Sequence, residues 1–191
     1  MPRRRPASAL EIGGGFVGVL FGVWLLQLAL PAPWGRLAIL PRTEAGLVGV
    51  LFAPLLHASF SHLVSNAAPL LVLLVVLFSD PRYRPEPTLA AIWLASGLGT
   101  WLIGRGGAVH LGASGLVFGL VSYLIVSGFL MRSWRAALVA VAVFILFGGI
   151  AYGLVPQPGP VSWEGHLCGA LAGAVSARYT HGRPRRFGFR G

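Results

Sequence analysis

The sequence predicts an all-α membrane protein in which six helices cross the bilayer and both termini lie in the cytoplasm. Two observations lead to this prediction. Hydrophobic residues make up 55% of the 191 residues and charged residues only 10%, whereas a soluble domain carries about 25% charged residues. In addition, no strand-like alternation recurs along the chain, and structures that span lipid are either helices or closed barrels.

Six apolar segments approach the ~17–25 residues with which a helix crosses a bilayer. The third and the sixth are short or interrupted. We place the membrane domain at residues 12–180, between a basic cytoplasmic N-terminus at 1–11 and a basic cytoplasmic tail at 181–191. In chain order the six segments are Ile12–Leu30, His57–Phe78, Thr88–Ile103, Leu111–Leu130, Ala136–Val155 and Trp163–Tyr179.

The loop between the first two segments is long, at about 26 residues. Its second half, LVGVLFAPLL, is apolar but too short to span a bilayer, which is typical of an interfacial or re-entrant stretch. We therefore expect this loop to lie partly in the outer leaflet. Residues 1–32 also fit a cleaved signal peptide, because an arginine-rich start is followed by an apolar stretch and small residues near Ala29 and Ala32.

The arginines predict the orientation of the bundle. All 15 basic residues are arginines, and the side that would carry both termini holds twelve of them. The opposite side holds only Arg36, Arg42 and Arg105. Because the side richer in Lys and Arg stays in the cytoplasm, we expect a multi-pass protein of the cell membrane, as in a bacterial plasma membrane. The basic tail is expected to contact membrane lipids rather than nucleic acid, since no folded basic domain is left over.

Polar side chains at membrane depth are costly and indicate function, and the first such cluster is HASFSHLVSN at residues 57–66. On a helix, His62 and Asn66 are about 40° apart and share one face. His57 is expected at the mouth of this helix, where a structural role that joins the first loop to the helix is the favoured interpretation. For His62 and Asn66 we favour a functional role.

Ser114 stands at the start of the fourth segment, in HLGASGLVFG. Taken alone, a serine at this position is typical of a helix cap or of a small packing residue. His110, four residues earlier, is expected in the loop before the helix, either as a cap or in contact with water. The stretch lacks the G-x-S-x-G pattern of soluble hydrolases and the strand that precedes it.

The sixth segment gives Ser114 a partner. His166 shares its helix face with Gly169 and Gly173, and glycines spaced by four let another helix approach closely. The fourth segment carries a matching pair, Gly115 and Gly119. If the two glycine faces meet, Ser114 and His166 face each other at similar depth. A histidine within hydrogen-bond reach of a serine is the minimal activated nucleophile.

A carboxylate to complete a triad is not evident. The chain has five acidic residues, and Glu164 points about 160° away from His166 on a helix. A dyad without an acid therefore fits the sequence better. Acyl transfer also needs hydrogen-bond donors for the oxyanion, and the His62 ring and the Asn66 amide on the second segment would supply them.

With these motifs in chain order, HASFSHLVSN, GASG and GHLCGALAG, the chain resembles the rhomboid family of intramembrane serine proteases. The resemblance implies a six-helix rhomboid-like bundle, with Ser114 as nucleophile and His166 as general base. It also implies His62 and Asn66 as oxyanion donors, together with the Ser114 backbone N–H. Gly112 would form a strained turn before the serine.

The resemblance also bears on supporting residues and substrate. His57 would be a first-loop histidine of structural importance, and Gly115 and Gly169 would bring the two helices together. Phe118 stands where a tyrosine commonly packs on the catalytic histidine, so an aromatic ring remains and a hydroxyl is lost. The substrate would be a single-pass membrane protein, and the cap loop at 155–160 with the fifth segment would gate its entry. No metal or cofactor is expected.

Three other functions remain open at this stage. A catalytically inactive relative would bind transmembrane helices without cutting them. A metalloprotease would use the histidines near one face, although H-x-x-x-x-H is not the H-E-x-x-H of zinc proteases. A transporter or channel is the third, and the lack of inverted sequence halves counts against it.

Overall fold

A computed structural model describes residues 7–156, 159 and 161–182. The predicted arginine clusters at residues 1–6 and 183–191 lie outside the described residues, as do positions 157, 158 and 160 of the predicted cap loop. The described part is mostly helical and has no named strand, only an isolated bridge between Ile39 and His110. The helical prediction is therefore confirmed.

Each of the six predicted segments coincides with one long helix. A further helix of the described residues, Glu44–Phe52, forms within the long first loop and includes part of the apolar stretch expected there. The helix at Trp134–Phe147 continues as a 3₁₀ helix over Gly148–Leu154. The helices are α1 Ala9–Ala29, α2 Glu44–Phe52, α3 Phe60–Ser79, α4 Pro85–Ile103, α5 Ser114–Leu130, α6 Trp134–Phe147 and α7 Trp163–His181.

Three helical stretches of the described chain are long and apolar enough to cross a membrane: Ala9–Ala29, Phe60–Ser79 and Trp134–Leu154. The helix at Ser114–Leu130 is apolar but shorter. The outer helices present large apolar side chains, such as Leu28 of α1 and Ile145 of α6, which are 68% and 73% exposed. Such contiguous apolar surfaces suit contact with lipid better than contact with water.

Local signals set the helix starts. The hydroxyls of Thr43, Ser59 and Ser162 each accept a hydrogen bond from a backbone N–H in the first turn of α2, α3 and α7, which satisfies one of the donors that a helix start leaves unpaired. At α1, Ser8 and Glu11 form a reciprocal capping box. These caps begin the helices within a few residues of the predicted apolar boundaries.

The helix that carries Ser114 is the centre of the bundle. α5 packs against α3, α4, α6 and α7, and the side chains of Leu116, Leu120, Tyr123 and Leu124 are almost fully buried. α1 packs on α3, and α2 packs on α4. A helix that is apolar all round is expected in a core or a membrane, and α5 is enclosed by its neighbours.

The first loop is fastened to α4 by indole and guanidinium donors. Trp93 Nε1 donates to the Val50 carbonyl at 3.1 Å, and Trp101 Nε1 donates to the Thr43 carbonyl at 2.8 Å. Arg42 Nη1 donates to the carbonyls of Leu102 and Gly104, at 3.0 and 2.8 Å, at the C-terminal end of α4. Helix C-termini carry unpaired carbonyls and a partial negative charge, so Arg42 caps α4 and holds the loop in place.

Candidate active site

Ser114 and His166 meet across the bundle. Ser114 is the first residue of α5, and its Oγ lies 2.9 Å from Nε2 of His166 in the first turn of α7. The α5 start has no side-chain cap, and the residue before it is Ala113. Ser114 therefore does not cap α5, and its hydroxyl bonds a histidine on another helix, as the paired glycine faces predict.

The second ring nitrogen of His166 fixes the tautomer. Nδ1 lies 3.0 Å from the carbonyl oxygen of Gly153, in the 3₁₀ helix after α6. Since a carbonyl only accepts, the hydrogen-bond partners assign the proton to Nδ1, which leaves Nε2 free to accept from the Ser114 hydroxyl. This is the protonation state that a general base needs. A main-chain carbonyl thus stands where a triad has a carboxylate.

Phe118 stacks on the His166 imidazole. Its ring lies nearly parallel to that of His166, with centroids 4.1 Å apart and planes inclined by 9°. Phe118 is one turn below Ser114 on α5 and is buried. The aromatic contact that the resemblance implies is present, and a phenyl ring makes it without a hydroxyl.

Glycines bring the two helices together. A Cβ added at Gly169 would lie 2.1 Å from the Gly115 carbonyl oxygen, and one at Gly173 would lie 1.9 Å from the Gly119 carbonyl oxygen. Contacts of this kind leave no room for any side chain. α5 and α7 therefore touch main chain to main chain on the faces that the glycine spacing predicts, and this contact places Ser114 beside His166.

The turn before Ser114 requires glycine at Gly112 for two reasons. Its φ of +112° lies in the region that side chains disfavour. A Cβ there would also lie 2.6 Å from Cε1 of His62. The Gly112 N–H donates to the Ala53 carbonyl at 2.8 Å. The turn is thus held between the first loop and the His62 ring.

His62 and Asn66 lie on one face of α3, as the spacing predicts. The Asn66 side-chain amide donates to the His62 carbonyl at 2.7 Å, and Asn66 is buried. The His62 ring packs against Gly112. Among the described residues no hydrogen bond joins either side chain to Ser114, so their role toward an oxyanion remains a prediction.

His57 is buried just before α3, at 1% exposure. Its backbone exchanges two hydrogen bonds with the side-chain amide of Gln27 on α1, at 3.2 and 3.3 Å. Its ring meets the His62 ring edge to face at 5.1 Å. Burial, with the nearby His62 ring as a lesser cause, lowers the pKa of His57 to about 4. These contacts suit the structural role favoured for His57.

His110 lies in the loop before α5 as expected, but it is buried rather than in contact with water. Its exposure is 3%, and Nδ1 lies 2.6 Å from Oγ of Ser162, the N-cap of α7. Burial lowers the pKa of His110, so the ring is neutral at pH 7. His110 therefore joins two loops and does not contact Ser114 or His166.

Glu164 is directed away from His166, as its helical position predicts. Its carboxylate is buried and forms an ion pair with Arg105, with Nε 2.8 Å from Oε1 but without the alignment of a hydrogen bond. In the described part of the chain His166 has no carboxylate partner. The expectation of a pair without an acid agrees with this arrangement.

An open cavity of about 40 Å³ adjoins Ser114. Its lining includes the polar side chains of Ser96, Thr100, His110 and Ser162. A polar space of ~10–15 Å³ is enough for one water molecule. A water molecule therefore fits beside Ser114. Across the described residues, no group of three His, Cys, Asp or Glu side chains is placed to hold a metal ion.

Three contacts in and around the site are absent from the sequence interpretation. Gly153 supplies the carbonyl to His166, Gln27 joins α1 to the first loop, and Arg42 caps α4. Gln27 is a polar residue within the otherwise apolar α1 segment, and that is a signal the sequence does contain. For Gly153, whose contribution comes from its backbone, no local pattern gives the partner.

Comparisons with known proteins agree with the motifs. A family model described as the Rhomboid domain matches residues 44–183. Uncharacterized proteins of Mycobacterium bovis and Mycobacterium tuberculosis are each 41% identical over 179 residues, which cover 90% of this chain and 74% of each relative. One of Mycobacterium leprae is 41% identical over 149 residues, 73% of this chain and 58% of that relative. No solved structure gives a significant match. The resemblance is confirmed, and the chain belongs to the rhomboid family.

Proposed function

We propose that this protein is an intramembrane serine endopeptidase that cleaves single-pass transmembrane proteins near the outer face of the membrane. The observation that carries the proposal is the 2.9 Å contact between Ser114 Oγ and His166 Nε2, with the other ring nitrogen held by the Gly153 carbonyl. Membership of the rhomboid family supports the same chemistry.

The proposed reaction has two stages. His166 Nε2 takes the proton of Ser114 as Oγ attacks the scissile carbonyl, and the imidazolium then protonates the leaving amine. The acyl-enzyme is hydrolysed by water from the adjoining cavity, again with His166 as base. The Ser114 backbone N–H and the His62 and Asn66 side chains stabilise the oxyanion, and one such donor lowers the barrier by ~2.7–4 kcal/mol.

The proposal includes the topology. All six long helices cross the cell membrane, both termini are cytoplasmic, and the active site opens to the outer side. α2 lies at the membrane interface, where Leu47, Val48 and Leu51 are exposed on it. Substrate helices enter beside α6. No cofactor or metal takes part.

Labelling by a fluorophosphonate tests the chemistry in purified protein. We expect wild type to be labelled at Ser114, and Ser114→Ala to lose the label completely. His166→Ala should label at least about 10²-fold more slowly, since general-base assistance contributes 10²–10⁴-fold. Labelling that persists in Ser114→Ala would refute the assignment.

Cleavage of a model transmembrane substrate in proteoliposomes tests the activity itself. Wild type should release the outer fragment, resist chelators, and lose activity in Ser114→Ala. Folded wild type that captures transmembrane helices yet cuts none would favour an inactive, helix-binding relative. Ion or solute flux that is indifferent to Ser114→Ala would favour a transporter.

A further inference from the structure

The loop between α4 and α5 is fastened to the start of α7 by side chains that the proposed reaction does not use. Arg105 and His110 belong to this loop, which continues directly into Ser114. Their partners lie just before and within the first turn of α7, the turn that carries His166. The loop is therefore a second connection between Ser114 and His166 of the proposed dyad, in addition to the glycine contact of α5 and α7.

Arg105 divides its donors among three acceptors. Nε lies 2.8 Å from Glu164 Oε1, Nη2 donates to the Val161 carbonyl at 2.6 Å, and Nη1 donates to the Gly159 carbonyl at 3.3 Å. A guanidinium is a rigid plane with donors in several fixed directions, whereas an ammonium is a single point of charge. The arrangement thus uses a property that arginine has and lysine lacks.

Glu164 makes the attachment an electrostatic one. Glu164 is 1% exposed, and Arg105 is the only cation that pairs with its carboxylate in the described part of the chain. A buried carboxylate without a counterion is strongly unfavourable. Because Glu164 lies two residues before His166, a shift that relieves its charge moves the turn that carries the imidazole.

His110 fixes the same turn at a second point. Its Nδ1 lies 2.6 Å from Ser162 Oγ, which also accepts the Gly165 N–H at 3.3 Å and so begins α7. The His166 N–H donates to the Ser162 carbonyl at 3.1 Å. The loop before Ser114 therefore holds both the cap and the buried carboxylate of the helix that carries His166.

We propose that Arg105 is a positioning residue for the Ser114–His166 pair. Through Glu164 and Val161 it fixes the first turn of α7 against the loop that leads into Ser114, and it contacts neither reacting side chain. The inference rests on the proposed function and deepens it. A displacement of reacting groups by 1 Å costs ~10²-fold in rate, so Arg105 acts on kcat and leaves substrate binding nearly unchanged.

The test compares Arg105→Met, Arg105→Lys, Glu164→Gln and the Arg105→Met/Glu164→Gln double variant in proteoliposomes. For Arg105→Met we expect kcat to fall about tenfold or more with KM changed less than about twofold, as for a loss confined to the transition state. The double variant should recover part of kcat, because no unpaired carboxylate remains. Arg105→Lys should retain less than half of the wild-type kcat, since one ammonium cannot serve three acceptors.

Arg82→Met is the matched control. Arg82 also pairs with a carboxylate, that of Asp80, but the pair is exposed and precedes α4, whereas Arg105 follows it. We expect wild-type kcat for this variant. A kcat for Arg105→Met equal to wild type would overturn the inference. Fluorophosphonate titration counts the folded active sites. If the loss of activity in Arg105→Met disappears when the rate is divided by that count, Arg105 acts on stability alone, and the inference is also overturned.

A second readout separates this inference from the proposed function. If wild type neither cleaves nor labels, the proposed function fails, and positioning is read from the imidazole itself. In protein with ¹⁵N-labelled histidine, the His166 signal is assigned by its loss in His166→Ala. It should shift in Arg105→Met and stay in place in Arg82→Met. An unshifted signal in Arg105→Met would refute the positioning role whatever the activity.

Discussion

At the scale of single residues, Gly153 contacts both rings of the site. Its carbonyl accepts from His166 Nδ1, and a Cβ added to it would lie 2.8 Å from Phe118 Cζ and 3.1 Å from that same nitrogen. The backbone at Gly153 therefore touches the imidazole and the ring stacked on it. No other residue fits between them without a shift of one ring.

Gly153→Ala should lower kcat about tenfold or more, because overpacking costs ~1–3 kcal/mol and displaces the base from Ser114. Cleavage kinetics measure the effect. Gly149→Ala is the control in the same 3₁₀ helix, since a Cβ there meets nothing within 4 Å. Equal kcat for the two variants would contradict the importance of this contact.

His57 predicts an acid-dependent loss of stability. Burial lowers its pKa from 6.5 to about 4 in the folded protein, so the unfolded chain binds the proton more readily below pH 6.5. The contribution of neutral, buried His57 to the free energy of unfolding is thus fully present above pH 6.5. It is lost as the pH drops toward 4, by up to about 3 kcal/mol. Thermal unfolding in detergent should show a steeper acid loss for wild type than for His57→Gln. Parallel pH profiles would contradict this assignment.

At the scale of elements, α5 and α7 are held in register by backbone contacts. The Ser122 hydroxyl adds a hydrogen bond to the Ala170 carbonyl at 2.5 Å, below the glycine pairs. The Ser114–His166 distance is therefore a property of the helix pair rather than of the two side chains alone. Any group inserted between the helices separates serine from base.

Gly169→Ala should lower kcat about 10²-fold and lower the melting temperature. Its Cβ would lie 2.1 Å from the Gly115 carbonyl oxygen, so the helices must separate by about 1 Å, which costs ~10²-fold in rate. Gly18→Ala on α1 is the control, because a Cβ there meets nothing within 4 Å. Wild-type activity in Gly169→Ala would show that the helix contact does not set the dyad.

At the scale of the whole molecule, the orientation of the bundle can be read from single cysteines. Cys168 is the only cysteine and is buried. Gly35→Cys should react with a membrane-impermeant maleimide in intact cells, and Glu86→Cys only after permeabilisation, since both positions are exposed and lie on opposite predicted sides. Labelling of Glu86→Cys in intact cells would contradict cytoplasmic termini.

The parts of this architecture that sequence predicts are those with a short-range signal. Apolar runs locate the six long helices, and glycines spaced by four locate the face that brings His166 to Ser114. Ser114 lies beside His166, as the glycine faces predict. Contact of His110 with water was an incorrect expectation, because the His110 side chain is buried and pairs with Ser162. The Gly153 carbonyl is a main-chain group, so no side chain in the sequence indicates its contact with His166. Long-range contacts of main-chain groups produce no periodic pattern in the sequence.

The main-chain contact between α5 and α7 has a consequence for the response of this protein to its bilayer. Compressible side chains normally separate helices, so lateral pressure in a membrane can alter their spacing. Here the Gly115 and Gly119 carbonyls leave no space for a Cβ at Gly169 and Gly173, and a close-packed contact of this kind is hardly compressible. We therefore expect lipid composition to act on this protein through α1 and α6, whose apolar faces are open, while the spacing of Ser114 and His166 stays constant.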